Sequence, residues 1–228
     1  NSAGVILNAA ATINGNLVFT NGKLTLGSNN LTLGGGTSNI SGATSSNYVV
    51  TSGTGYLIRS VPNTSTIITF PVGTASTYNP AILNSSGAAT ENFSVRVASS
   101  TANVVNPAGV VTRQWTINEQ SAGSNNLTLT LQWNLGDEGA TFSGSRPSAQ
   151  IGKYNESGTS WAMFAATGSG SDPYTAANTS GLTVNFSNSV FGVGLPGMLP
   201  VELTSFTATP RNAKVELAWA TATEINHY

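Results

Sequence analysis

The first part of the chain carries a short repeat in which apolar and polar positions alternate. Three copies of seven residues align over 14–20, 21–27 and 28–34. Each copy has one apolar residue at its fourth position and another two residues later, the spacing of a half-buried strand. These positions are Leu17, Leu24 and Leu31, followed by Phe19, Leu26 and Leu33. Each copy is therefore predicted to form a short strand that ends in a turn.

Two architectures fit this repeat over residues 12–34. Asn-Gly pairs favour type I′ turns, which would join the strands into a tight antiparallel meander. Alternatively, successive copies stack as rungs of a small β-solenoid with Asn and Gly at its corners. Lys23 is the only charged residue in 1–58, and neutral rungs suit such stacking. We favour the solenoid-like arrangement and predict a repetitive β-ladder over 1–55.

Residues 56–194 have the pattern of a β-sandwich. Apolar and alternating runs recur with prolines and glycines between them, which is typical of one-sided sheets that bury a common core. The predicted strands are 56–61, 67–70, 93–97, 111–117, 126–133, 149–154, 161–164, 182–186 and 190–193. The only helix candidate, 165–177, is interrupted by glycines and a proline, so the fold class is predicted to be all-β.

A linker and an incomplete set of strands follow the predicted sandwich. Residues 195–200 hold a glycine between two prolines, which favours an extended connection. Two further strands are predicted within 201–219, and the sequence given ends at Tyr228. Two strands are too few for an independent sheet. We therefore expect these strands to need pairing partners elsewhere.

Charge and composition narrow the classes of function. Charged residues make up 7% of the chain and the formal net charge is −1. Without a basic cluster, nucleic acid is not an expected partner. Cysteine is absent, which excludes thiol catalysis and disulfides. No apolar run approaches the length of a membrane-spanning helix, so no membrane span is expected.

The sequence predicts neither a catalytic residue nor a metal site. His227 is the only histidine, so a Ser-His-Asp triad or a multi-histidine metal centre cannot be built within one chain. The acidic residues lie mostly in Gly/Ser-rich turns, where solvated carboxylates are the expected state. Asn134, Asp137 and Glu138 carry oxygens that calcium accepts, but their spacing is not that of an EF-hand loop. No cofactor is expected.

The aromatic residues suggest one ligand-binding candidate. Trp115 and Trp133 lie inside alternating strands and are predicted to pack in the core. Trp161 and Tyr174 flank a Gly/Ser-rich loop, and we predict that they are exposed and could form a platform for a sugar ring. This prediction supports an alternative function, a carbohydrate-binding or adhesion module of a larger secreted protein.

The last part of the chain resembles a known class. Leu-Pro-Val-Glu-Leu-Thr-Ser-Phe at 199–206 and Val-Glu-Leu-Ala-Trp-Ala-Thr-Ala-Thr-Glu-Ile-Asn at 215–226 are similar to a segment of many secreted and surface proteins of Bacteroidota. There the segment opens a fibronectin-type-III-like domain that often precedes the sorting signal of type IX secretion. The resemblance implies that 201–228 are incomplete fibronectin-III-like strands. It also implies an extracellular or cell-surface location.

These observations predict a non-catalytic, secreted structural protein. We expect it to be a subunit of an extracellular filament or surface stalk that is held by β-strand pairing between subunits. Its expected partners are copies of itself in a head-to-tail polymer or other surface proteins, with glycans as a further candidate. The predicted interface residues are the apolar positions of the terminal strands: Val201, Leu203, Phe206, Val215, Leu217 and Trp219.

Overall fold

The computed structural model confirms the all-β class. It describes residues 4–34, 39–87, 89–121, 126–155, 160–182, 186–187, 189–196, 203–211 and 214–221. Strands dominate these ranges. The helical segments described there are three short 3₁₀ turns at Pro107–Gly109, Leu135–Asp137 and Ser143–Ser148. No helix in the described part of the chain has the length and apolar character needed to cross a membrane.

The first ten strands are short and pair in parallel. They are β1 (Val5–Ile6), β2 (Ala11–Ile13), β3 (Leu17–Val18), β4 (Leu24–Thr25), β5 (Leu31–Leu33), β6 (Ile40–Ser41), β7 (Val49–Val50), β8 (Leu57–Val61), β9 (Ile67–Phe70) and β10 (Val72–Gly73). Three parallel ladders result, with the orders β1-β4-β7-β10, β2-β5-β8 and β3-β6. The chain therefore returns to the same ladder after every third strand.

The seven-residue copies do not pair with one another. Leu17, Leu24 and Leu31 lie in β3, β4 and β5, which belong to three different sheets. The expected stacking of successive copies is therefore wrong, because each copy supplies one side of a turn and three are needed to return to the same side. The meander is also not found, since the strand pairings described within 12–34 are parallel.

Nine longer strands follow and form the sandwich-like part. They are β11 (Ala81–Ser85), β12 (Glu91–Ser99), β13 (Val110–Glu119), β14 (Leu127–Trp133), β15 (Gln150–Asn155), β16 (Ser160–Phe164), β17 (Ala166–Gly170), β18 (Tyr174–Asn178) and β19 (Ser189–Gly194). One sheet has the order β17-β18-β14-β11-β9 and the other β16-β15-β19-β13-β12-β8-β5-β2. The residues predicted as a possible helix form part of an antiparallel pair, β17 with β18.

The eight-stranded sheet joins the ladders to the sandwich-like part. Strand β8 pairs in parallel with β5, where Leu57 lies opposite Leu31, and antiparallel with β12, where Leu57 lies opposite Val95. One buried cluster accordingly extends from Leu26 and Leu31 of the ladders to Trp133 and Phe191. Hydrogen bonding and core packing are thus continuous across the predicted boundary at residue 55, while the division into domains stays a prediction.

The last two described strands form a separate two-stranded sheet. Strands β20 (Leu203–Arg211) and β21 (Lys214–Thr221) are antiparallel, with Phe206 opposite Trp219 and Ala208 opposite Leu217. In the described pairings these two strands bond only to each other. Together they form what we call the terminal hairpin.

Candidate functional site

Three regions of the structure carry polar or exposed groups of interest: a buried ionic network, a polar cleft and the terminal hairpin. In the ionic network, Asp137 is fully buried and its Oδ1 lies 2.5 Å from Nη2 of Arg113, which is 8% exposed. The other oxygen, Oδ2, accepts from Asn79 Nδ2 at 2.6 Å and from the backbone N–H of Asn134 at 3.0 Å. The last bond closes the 3₁₀ turn that holds the carboxylate in place.

The neighbouring acid is held in the same way. Both oxygens of Glu138 accept from the guanidinium of Arg146, at 2.5 and 2.7 Å, and Oε1 also accepts from Nε1 of Trp133 at 2.8 Å. The hydrogen bond from Arg146 to Glu138 is the main reason that the pKa of Arg146 is raised. The guanidinium also stacks 4.0 Å from the centre of the Tyr174 ring.

These contacts bear on the calcium option at Asn134, Asp137 and Glu138. Asp137 faces Arg113 and Glu138 faces Arg146, so each carboxylate already lies against a cation. A Ca²⁺ ion needs six to eight oxygen ligands, and these oxygens could bind one only if both ion pairs broke. Within the described ranges, no group of three or more His, Cys, Asp or Glu side chains could hold a metal ion. The network is structural in its chemistry.

The two aromatic candidates have different surroundings. Trp161 is only 3% exposed, donates from Nε1 to the carbonyl of Asn103 at 2.7 Å and packs with Val110 and Tyr154. The predicted exposure of Trp161 is therefore wrong: strand β16 lays the ring over its own sheet. Tyr174 is half-buried between Arg146 and Trp133. The two residues do not share an exposed platform.

A polar cleft, which we call the Arg59 cleft, lies where the third ladder meets the sandwich-like part. Strand β6 pairs with β3 and strand β9 pairs with β11, and the facing sides of β6 and β9 border a cavity of about 410 Å³. Its lining consists of Asn39, Ile40, Ser41, Gly42, Ala43, Arg59, Thr66, Ile67, Ile68, Thr69, Pro71 and Tyr78.

Arg59 reaches the cleft because of strand alternation. Leu57, Arg59 and Val61 point to the same side of β8, and Leu57 and Val61 are fully buried in the core. Arg59 is therefore carried inward and is only 6% exposed. Its Nη1 donates to the carbonyl of Thr69 and its guanidinium lies 5.8 Å from the centre of the Phe70 ring.

The charge of Arg59 is poorly compensated. No ion pair with a carboxylate is described for it, and its Nε has no hydrogen-bond partner among the described residues. Burial lowers its pKa from 12.5 to about 10, so the guanidinium still carries its charge at neutral pH. Buried arginine is ordinarily paired. A buried cation that lines a cavity is the feature of this molecule that most resembles a binding site.

Tyr78 lies on the same cleft, and we expect it to make stability depend on alkaline pH. Burial raises the pKa of its phenol above 10.0, so the unfolded chain loses this proton at a lower pH than the folded chain. Stability should therefore fall as the pH rises above about 10. Urea unfolding at pH 8 and pH 11 should show a smaller loss for Tyr78→Phe than for the parent protein. Tyr56→Phe, outside the cleft, should behave like the parent; an equal loss in all three proteins would contradict the expectation.

The terminal hairpin holds the predicted interface residues. Phe206, Val215 and Leu217 are 59%, 62% and 52% exposed. The register places all three on one face, because residues opposite each other in an antiparallel pair point to the same side. Val201 lies outside the described residues, and so do the side chains of Leu203 and Trp219. The described apolar side chains of this face are uncovered.

Comparisons with known proteins add no relative. No protein-family model, no curated protein and no solved structure matches the chain. The class that the coordinates define is therefore an all-β protein of several sheets.

Proposed function

We propose that this chain is a non-catalytic structural protein of the cell exterior, a subunit of a filament or surface stalk whose copies join through β-strand pairing. The observation that carries the proposal is the terminal hairpin, with an apolar face that is more than half exposed at Phe206, Val215 and Leu217. A two-stranded sheet is marginally stable in water. It gains stability when a third strand or a second apolar surface covers it.

The strand edges of the hairpin favour this mode of assembly. Strands β20 and β21 pair only with each other in the described pairings, so each has a second edge available to another strand. Exposed edges and apolar faces of this kind support strand addition between subunits. If the hairpin of one copy pairs with a different surface of the next, the contact is head-to-tail and produces a linear polymer.

The remainder of the chain fits a structural role in this proposal. The three parallel ladders form a short β-solenoid that leads into a β-sandwich, and the hairpin contributes the first strands of a fibronectin-III-like unit. With 7% charged residues, the surface depends little on ion pairs, so changes of salt have little effect on it. The similarity of 199–226 to type IX secreted proteins supports export to the cell surface.

Removing the hairpin should abolish assembly. The full chain should form linear assemblies that lengthen with concentration, as seen by negative-stain microscopy and light scattering. Deletion of 201–228 should leave monomers, because the face formed by Phe206, Val215 and Leu217 is lost. Circular dichroism and thermal unfolding should show that the remaining sheets are intact in the truncated protein.

Point variants provide the matched control. Leu217→Lys places a charge on the apolar face and should weaken assembly by at least about tenfold in concentration, since desolvating a lysine in an apolar contact is costly. Val105→Lys changes a residue of the main body that is 66% exposed and should assemble like the parent. A full chain that stays monomeric at high concentration, or fibres that survive the deletion unchanged, would disprove the proposal.

A further inference from the structure

The Arg59 cleft has the elements of a small-molecule site, and nothing in the proposed assembly uses it. Its volume of about 410 Å³ falls within the usual range of ligand pockets, about 300–1,000 Å³. It is bordered by two strands, β6 and β9, that do not pair with each other. The cleft is therefore a gap between two sheets and not a packing defect within one.

The charge in the cleft indicates an anionic ligand. Arg59 is the only charged residue in the lining, it is 6% exposed, and its Nε lacks a partner among the described residues. A guanidinium forms strong, directional hydrogen bonds with carboxylates. A single buried cation matches one negative charge, which favours a carboxylate over a doubly charged phosphate.

The rest of the lining describes the part of the ligand that carries this carboxylate. Asn39, Ser41, Thr66 and Thr69 present amide and hydroxyl groups, while Ile40 and Ile68 add apolar surface. Hydroxyl and amide groups pair with the hydroxyls of a sugar, and aliphatic side chains pack against its C–H faces. The cavity is also too large for a carboxylate alone.

We propose that the Arg59 cleft binds a hexuronate, a sugar ring that carries one carboxylate. The guanidinium of Arg59 pairs with the carboxylate, and the polar residues of β6 and β9 receive the ring hydroxyls. The ligand supplies the counter-charge that the described residues lack, so binding also stabilises the fold. This inference is independent of the terminal hairpin and holds whether or not the chain polymerises.

Calorimetric titration of the full chain with glucuronate and galacturonate tests the inference. At least one of them should bind and raise the melting temperature. Glucuronamide, which has the same ring without the charge, and neutral glucose should bind at least about tenfold more weakly, because a hydrogen bond to a charged group contributes at least that factor. Acetate should also bind more weakly, since it lacks the hydroxyls. These comparisons use only the parent protein.

Variants locate the site. Arg59→Gln should lose at least about tenfold in affinity for the hexuronate. Arg96→Gln is the matched control, because Arg96 lies on neighbouring β12, stacks on Tyr56 and does not line the cleft; it should bind like the parent. If Arg59→Gln does not fold, Arg59→Lys replaces it with the same expected loss. Failure of both hexuronates to bind, equal binding of glucuronate and glucuronamide or acetate, or unchanged affinity without Arg59 would overturn the inference.

Discussion

Replacing Asp137 with alanine is expected to lower the free energy of unfolding by about 3–5 kcal/mol, the usual cost of removing one partner from a buried ion pair. The carboxylate is fully buried against Arg113, which is itself 8% exposed. Without it, a buried guanidinium loses its counter-charge, and Asn79 and the N–H of Asn134 lose an acceptor. Urea unfolding followed by tryptophan fluorescence would measure the loss.

Two further variants separate burial of charge from loss of a carboxylate as such. Asp172→Ala removes an exposed carboxylate of the same region, which accepts from the backbone N–H of Leu135 at 3.0 Å; it should cost less than about 1 kcal/mol. The double replacement Arg113→Met with Asp137→Leu should be more stable than Asp137→Ala alone, since apolar side chains can replace a buried pair. Equal losses for Asp137→Ala and Asp172→Ala would contradict this account of the network.

Sequence reasoning located most strands of the sandwich-like part because their residues alternate and favour strands. Strand β12 was predicted from Phe93, Val95 and Val97, which the structure buries completely. Strand β17 was missed because Ala166–Gly170 has little intrinsic preference for a strand. Its conformation comes from pairing with β18, a tertiary contact that local sequence does not reveal.

The same contrast applies to the candidate sites. Trp161 follows a Gly/Ser-rich stretch that suggests exposure, yet it is buried by Val110 and Asn103, which are distant in sequence. Arg59 could have been found, because Leu57, Arg59 and Val61 alternate and an arginine on an apolar face is a visible anomaly. The cleft beside it could not have been found, since it depends on β9 pairing with β11 instead of with β6.

The stacking of the parallel ladders depends on glycines at their corners. Where the turn after β7 passes the turn after β4, the N–H of Gly55 donates to the carbonyl of Gly27 at 3.0 Å. A Cβ atom on Gly55 would lie 2.1 Å from the carbonyl oxygen of Asn29, and one on Gly53 would lie 2.2 Å from that of Gly27. Backbone atoms occupy both places, so no side-chain rotation can relieve the contact.

Gly55→Ala should therefore cost about 3 kcal/mol or more in unfolding free energy, the upper end of the usual cost of overpacking, because the two turns must separate and weaken the pairing of β8 with β5. Gly15→Ala is the matched control. No atom lies within 4 Å of the Cβ it would gain, so it should be neutral or slightly stabilising through the unfolded chain. Thermal unfolding of both variants measures the difference. If Gly55→Ala melts with Gly15→Ala, the turns are not in contact at this corner and the three ladders do not stack as described.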